Sequence, residues 1–427
     1  MTRILHRLLP ALLPAILGAI SFVAAAEDRP RIGLVLSGGG ARGAAHVGVI
    51  KRLEEQRVPI DYIAGTSMGA IVGGLYAAGT SSAELEEKFG SIDWLKALGD
   101  SVPREDRPFR RKRDDDSYLV REKVGFNNGE VEFRGGFVVG QNVELLLRTW
   151  VQVAHGKESF DDLAIPFRAV ATDLANGNAY VIESGDLARA MRASMSIPAF
   201  FEPVRIDGRI LVDGGIANNL PINVVREMGA DIVIAVDLST PLRTEAELKS
   251  LLAVSDQLTN FLTRGNTELQ LATLTDKDVL IIPELGTLSS LQFDRSVEAI
   301  GIGYTAAQDS QAEIASLALA EAEYAAYVAK REPIPEPPVI EFVRLENRSR
   351  VSDDVLMARL KSAIGVPLSE QSLAGLSAIY GLDLFQRVQY EVIVEDGKAG
   401  LVVDVEERSW GPNYLQFGLE LSGDLNG

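Results

Sequence analysis

Gly65-Thr66-Ser67-Met68-Gly69 stands where an apolar, strand-like run, Ile60 to Ala64, gives way to a helix-like run, Ala70 to Ala78. A serine between glycines on a strand-to-helix turn is the pattern of a nucleophile elbow. The glycines omit the Cβ atoms for which a sharp turn has no room, and the turn aims the serine hydroxyl out of the sheet. Ser67 would stand at the tip, before a helix whose first N–H groups would stabilise negative charge on a nearby substrate oxygen. A bare G-x-S-x-G also arises by chance in glycine-rich chains as a structural turn, so the surrounding sequence has to decide.

Upstream, Arg31 to Leu36 is a short apolar run that reads as a buried strand of a parallel sheet. Ser37-Gly38-Gly39-Gly40-Ala41-Arg42-Gly43 follows, then a helix from Ala44 to Gln56. Such a loop presents consecutive backbone N–H groups at a helix N-terminus and cradles an anion. Gly38, Gly40 and Gly43 also spell G-x-G-x-x-G, the dinucleotide fingerprint, which asks for an acidic residue at the end of the next strand. Here the next strand runs into the Ser67 turn, which argues against a dinucleotide. The competing role is an oxyanion hole built from the Gly38 to Gly40 amides, with those of Gly39 and Gly40 facing the carbonyl that Ser67 attacks.

Downstream, strand-like runs at Phe167 to Thr172 before Asp173, Ile210 to Val212 before Asp213-Gly214-Gly215, and Ile232 to Val236 before Asp237 alternate with helical patterns. Those helices are Ser82 to Leu98, Val143 to Val153, Leu187 to Ser194 and Pro221 to Met228. The alternation predicts an α/β fold with a mainly parallel sheet covered on both faces. Ligands of such folds bind beyond the carboxyl ends of the strands, where the glycine loop, Ser67 and Asp213 would gather. A serine nucleophile needs a base, usually histidine. The chain has His6, His46 and His155 only, so the order Ser, Asp, His of the α/β-hydrolases cannot be met. His46 reads as a packed or capping residue and His155 as a surface one. A carboxylate is then the expected base, and Asp213 leads because a glycine pair follows it; Asp173 and Asp237 read as structural. Phe200 and Phe201 read either as core or as the wall of an acyl pocket.

Composition sets the frame. At 427 residues and 46% hydrophobic content the chain can form two or three domains, and a net charge of −18 argues against a nucleic-acid partner. Cysteine is absent, which excludes disulfides and thiolate chemistry. Residues 1–26 carry Arg3, His6 and Arg7, an apolar run from Leu8 to Val23 and Ala24-Ala25-Ala26; this reads as a secretory signal peptide, with a membrane anchor as the alternative, and predicts export to a bacterial envelope. Arg107, Arg110, Arg111, Lys112 and Arg113 form either a basic rim for phosphate headgroups or a solvated loop. Glu245 to Leu274 is a long amphipathic stretch, Val279 to Pro283 a short strand, and Ala306 to Ala329 a helix closing a first domain over residues 27–330. A proline-rich linker at 331–338 separates it from a β-α-α-β-β domain at 339–408, and in 409–427 Leu415, Phe417, Leu419 and Leu421 alternate as one isolated strand.

Three stretches, Ser37 to Gly43, Gly65 to Gly69 and Asp213-Gly214-Gly215, resemble in order and spacing the signatures of patatin-like phospholipases; the resemblance runs from about Arg31 to Ala329 and takes in Ala193-Ser194-Met195-Ser196-Ile197-Pro198 and Asn218-Asn219-Leu220-Pro221. It implies a patatin-like three-layer α/β/α domain, a Ser67–Asp213 dyad, an oxyanion hole from Gly38, Gly39 and Gly40 with Arg42 close by, and hydrolysis of lipid acyl esters at a membrane surface, without metal or cofactor. Gly43, Gly65, Gly69, Gly214 and Gly215 complete the motifs. Residues 339–408 resemble a POTRA domain, and the pair resembles the patatin-type (type Vd) bacterial autotransporters, which implies outer-membrane assembly partners. Those proteins continue into a β-barrel of at least about eight strands, of which this chain carries one; a truncated chain, a periplasmic protein and a released one all fit, and a homo-oligomer is compatible with the sequence. The rival reading is a non-catalytic lipid-binding and envelope-assembly module.

Overall fold

The computed structural model describes residues 29–100, 123–127, 130–132, 136–152, 156–238, 242, 244–331, 336–369, 371–408 and 413–416. The leader at 1–26, the basic cluster at 107–113, His155 and residues 417–427 lie outside the described residues.

The first unit is built on an eight-stranded sheet. Its strands are β1 (Ile32–Leu36), β2 (Tyr62–Thr66), β6 (Phe167–Asp173), β7 (Ala179–Ile182), β9 (Val204–Ile206), β10 (Arg209–Asp213), β11 (Ile232–Val236) and β12 (Val279–Ile281). Neighbours run β12-β11-β1-β2-β6-β10-β9, with β7 also on β6. The contacts from β12 through β6 are parallel, and those of β10, β9 and β7 antiparallel. Side chains alternate between faces, as a strand's period of two dictates. Leu34, Leu36, Ile63, Ile234 and Val236 face helices α1 (Ala45–Glu55), α2 (Met68–Ala77) and α3 (Ser82–Ser91). Val35, Ala64, Val170, Val233 and Ala235 face the opposite layer, where Ile222, Val224 and Val225 of a short helix pack. The architecture is α/β/α with a mainly parallel sheet, as expected.

Three expectations for this unit change. The helical stretch Ser82 to Leu98 is two helices, α3 and α4 (Trp94–Leu98), because the Asp93 carboxylate accepts from Lys96 N at 3.1 Å and caps a new start. The single helix expected over Ala306 to Ala329 is divided among the end of Ser296–Asp309, then Gln311–Ala315 and Glu321–Val328. The chain is drawn out between the last two, where Leu319 N donates to Arg57 O at 3.0 Å. Finally, Asp213 does not follow a parallel strand: β10 runs against β6, pairing Asp213 with Ala171 and Leu211 with Asp173.

That reversal positions the site. Ile63 N donates to Pro166 O and Leu174 N to Ile210 O, whereas Asp173 N donates to Asn178 O. Successive amides of a strand point to opposite edges, so even-numbered residues of this segment serve β2 and then β10 along one edge, while odd ones serve β7. Thr66 is level with Val170 and Asp213 with Ala171. The two strands meet head to head.

A second unit has strands β13 (Phe342–Arg348), β14 (Phe385–Glu395) and β15 (Lys398–Glu407) in the order β13-β15-β14, with β13 parallel to β15 and helices Asp353–Leu360 and Ala374–Tyr380 between β13 and β14. Its core includes Leu145 of the first unit's helix α5 (Gln141–Trp150). The seam is polar: Gln141 Oε1 accepts from Val388 N at 3.1 Å and Arg148 donates to Tyr390 O at 3.3 Å. Strand β16 (Asn413–Gln416) is not isolated; it pairs antiparallel with β3 (Lys123–Asn127), a long-range partner that local pattern cannot reveal. Among the described residues no helix is long and apolar enough to cross a membrane.

Candidate active site

The elbow is built as the glycines require. Ser67 adopts φ 54° and ψ −121° between β2 and α2, a left-handed conformation that a side chain rarely takes. The turn is crowded on both flanks: a Cβ on Gly69 would lie 2.2 Å from Leu36 O, and one on Gly65 would lie 2.4 Å from Gly69 O. Ser67 Oγ donates to Asp213 Oδ2 at 2.7 Å, and both residues are buried. The other oxygen, Oδ1, accepts from Gly215 N at 2.8 Å, which orients the carboxylate. Burial raises the Asp213 pKa to about 6, against the opposing pull of the Ser67 and Gly215 hydrogen bonds. A carboxylate so tuned still accepts a proton at neutral pH, and more readily than an ordinary aspartate.

The glycine loop lies beside it. Gly38 N donates to Asn219 O at 3.3 Å, so this amide is engaged and unavailable to a substrate oxygen, unlike the expectation for all three glycines. Among the described residues the Gly39 and Gly40 amides have no protein acceptor. Gly40 takes φ +54°, and a Cβ there would fall 2.3 Å from Ser290 O. Arg42 is buried, and its guanidinium donates to Leu288 O at 3.3 Å. It stands behind the loop rather than on the cavity wall. Burial lowers its pKa, and the nearby Asp237 charge works against that shift.

A cavity of about 450 Å³ opens over these groups, with Gly39, Gly40, Ser67 and Asp213 at its floor and Ile197, Leu238, Leu271, Ile282 and Leu291 among its walls. Phe200 and Phe201 are not among its lining residues; their rings meet edge to face at 4.7 Å, and the Arg192 guanidinium lies 4.3 Å from the Phe201 centroid. The core reading holds for Phe201, and Phe200 is half-buried against that core.

His46 is fully buried, its pKa lowered to about 4 by desolvation. Nε2 is 2.8 Å from Ser37 O, and since a carbonyl can only accept, the neutral ring donates there and braces the glycine loop. Asp173 pairs with Arg209 at 2.7 Å and caps its own turn through Ala175 N; the Arg209 hydrogen bond leads in holding its pKa low. Asp237 is buried on the cavity wall. Among the described residues no group of His, Asp and Glu is arranged to hold a metal ion.

One residue carries a part that the motifs did not disclose. Ser194, at the end of helix α6 (Leu187–Ser194), accepts from Ser67 N at 2.8 Å and donates to Val170 O at 2.5 Å. Its carbonyl accepts from Gly214 N, and that of Ser196 from Asp213 N. A single short segment thus holds both members of the Ser67–Asp213 pair. The only signal in the sequence was the Ala193 to Pro198 stretch, noted for its resemblance and not for this geometry.

Comparison with known proteins places the same region. Residues 34–226 match the model of the patatin-like phospholipase family. An uncharacterized NTE family protein of Mycobacterium tuberculosis is 37% identical over 210 residues, 49% of either chain. Lysophospholipase NTE1 of Mycosarcoma maydis is 37% identical over 209 residues, 49% of this chain and 10% of the fungal protein. The chain thus spans about half the length of the mycobacterial relative and about a tenth of the fungal one. The crystal structure of VipD from Legionella pneumophila covers 66% of both chains at 16% identity, with a TM-score of 0.36. The matched residues enclose the glycine loop, the Ser67 turn and Asp213, and it is over this stretch, 34–226, that the chain carries a patatin-like phospholipase domain.

Proposed function

We propose that the protein is a lipid acyl hydrolase of the phospholipase A or lysophospholipase type, with Ser67 as nucleophile and Asp213 as general base. The observation that carries this is the 2.7 Å Ser67–Asp213 hydrogen bond on the floor of a partly apolar cavity, beside the Gly39 and Gly40 amides. Ser67 Oγ attacks the acyl carbonyl carbon while its proton passes to Asp213 Oδ2, and the Gly39 and Gly40 N–H groups stabilise the oxyanion. Collapse breaks the ester bond, and the leaving alkoxide takes the proton from Asp213. Water then attacks the acyl-serine, giving its proton to the same carboxylate, and the fatty acid departs with Ser67 restored. Without a histidine, the carboxylate pKa of about 6 is what supports base catalysis near neutral pH.

The leader pattern supports export, and the β-α-α-β-β order of residues 339–408 supports a POTRA-like unit serving transport or assembly at the outer membrane. The test of the nucleophile is covalent. A fluorophosphonate ester should phosphonylate Ser67 in the wild-type protein, with a rate that rises with pH through about 6 as Asp213 ionises. Labelling that spreads over surface serines, or that persists in Asp213→Asn at the wild-type rate, would favour the lipid-binding module without catalysis.

A further inference from the structure

Helix α9 (Leu251–Leu271), the longest in the described chain, is folded inside out. Most of its uncharged polar residues face the protein, while Arg264 and Glu268 are exposed and pair with each other at 3.2 Å. Gln257, Asn260 and Thr267 are buried. Asn266 donates to Gly215 O at 2.9 Å and accepts from Asn219 N at 2.8 Å. Gln270 accepts from Asn223 N at 3.0 Å. Asn260, Thr263 and Thr267 line the cavity above Ser67. The apolar residues face out: Val254, Leu258, Phe261, Leu262 and Leu269 are 40%, 58%, 51%, 53% and 73% exposed. At about 100° per helical residue these five fall in one arc of about 100°. A water-facing helix ordinarily shows the reverse arrangement, and a coherent exposed apolar stripe marks a surface that something else covers.

We infer that this stripe is the docking surface for a zwitterionic lipid bilayer, which delivers substrate to the cavity that the same helix lines; the inference rests on the hydrolase reading above. Two observations select the occupant. First, the helix that carries the stripe also lines the cavity through Asn260, Thr263 and Leu271, and Ile282 and Leu291 on the cavity wall are themselves apolar and half exposed. A bilayer that covered both the stripe and these two side chains would bring lipid to the cavity over Ser67. Second, charge excludes the rivals. None of the five stripe residues is charged, the exposed Arg264 and Glu268 beside them neutralise each other, and the chain carries a net −18, so an anionic bilayer or a second copy would be repelled as it approached. A neutral headgroup layer over an apolar interior matches an uncharged apolar face. Helices that seek anionic membranes instead carry Lys and Arg beside their apolar side.

The experiment separates docking from chemistry. Flotation of the Ser67→Ala protein with phosphatidylcholine vesicles should show binding, and adding Leu258→Gln, Phe261→Gln and Leu262→Gln should weaken it about 100-fold, as expected for losing three partly inserted side chains. In the wild-type background the same triple substitution should leave hydrolysis of a soluble, monomeric short-chain ester within about twofold, since none of the three side chains lines the cavity. Unchanged vesicle binding by the triple variant would overturn the inference. So would binding that demands anionic lipid, or sedimentation showing a dimer that the triple variant splits. If the wild-type protein fails on the soluble ester while still floating with vesicles, the hydrolase reading falls and the docking surface stands.

Discussion

Asp213→Asn should make the protein more stable at neutral pH, and the size of the effect follows from burial. In the folded state the Asp213 carboxyl has a pKa of about 6, against the usual 3.8, because the ionised form is desolvated. Between these values the unfolded chain has released a proton that the native state still holds. Stability therefore falls as pH rises from about 4 to about 6, and the full penalty is present above that window. The interval from 3.8 to about 6, at about 1.4 kcal/mol per pKa unit, amounts to about 3 kcal/mol. Asparagine has nearly the same shape, keeps an oxygen for Gly215 N–H and carries no charge. Urea unfolding followed by circular dichroism should find the variant about 2–3 kcal/mol more stable than wild type at pH 7.5 and within about 0.5 kcal/mol of it at pH 4. An equal gap at both pH values, or a less stable variant at pH 7.5, would refute the argument that this carboxylate is held ionised at a cost in stability.

Two further substitutions probe how the elbow is held. Ser67→Gly should raise stability by about 1 kcal/mol, because glycine takes φ 54° without strain; thermal unfolding beside Ser67→Ala, which keeps the Cβ and the strain, isolates the backbone effect. Ser194→Ala leaves the Ser67 amide and the Val170 carbonyl without their shared partner. It should lower kcat on a soluble ester about 10- to 100-fold with KM nearly unchanged. A rise in KM with kcat intact would mean that Ser194 shapes the cavity rather than the nucleophile.

What the sequence disclosed and what it withheld divide along a physical line. The parallel core was legible because β1 and β11 are short apolar runs followed by turn residues, and a buried strand has few other ways to read. The Ser67 turn was legible because crowding at Gly65 and Gly69 leaves no alternative to glycine. Strand direction has no such local imprint. Asp213 reads as the end of one more parallel strand, yet β10 runs the other way, and only the shared edge of β6 explains how it reaches Ser67. Ser194 was silent for a related reason: a buried serine at a helix end looks the same whether it caps that helix or bonds an amide over a hundred residues away. The amphipathy of α9 was plain in the sequence, but which side faced inward was not, since periodicity gives a stripe and not its orientation. The Gly38 amide, counted with its neighbours from the motif, turned out to be engaged by Asn219 O.

The most direct test of the account is fatty-acid release from phosphatidylcholine and lysophosphatidylcholine by the wild-type protein beside folded Ser67→Ala and Asp213→Asn. The account predicts release by wild type and a loss of at least about 1,000-fold in both variants, with the wild-type rate rising through pH of about 6. Release that survives in Asp213→Asn with Ser67→Ala inactive would assign the base elsewhere, and release undiminished in Ser67→Ala would contradict the account at its centre.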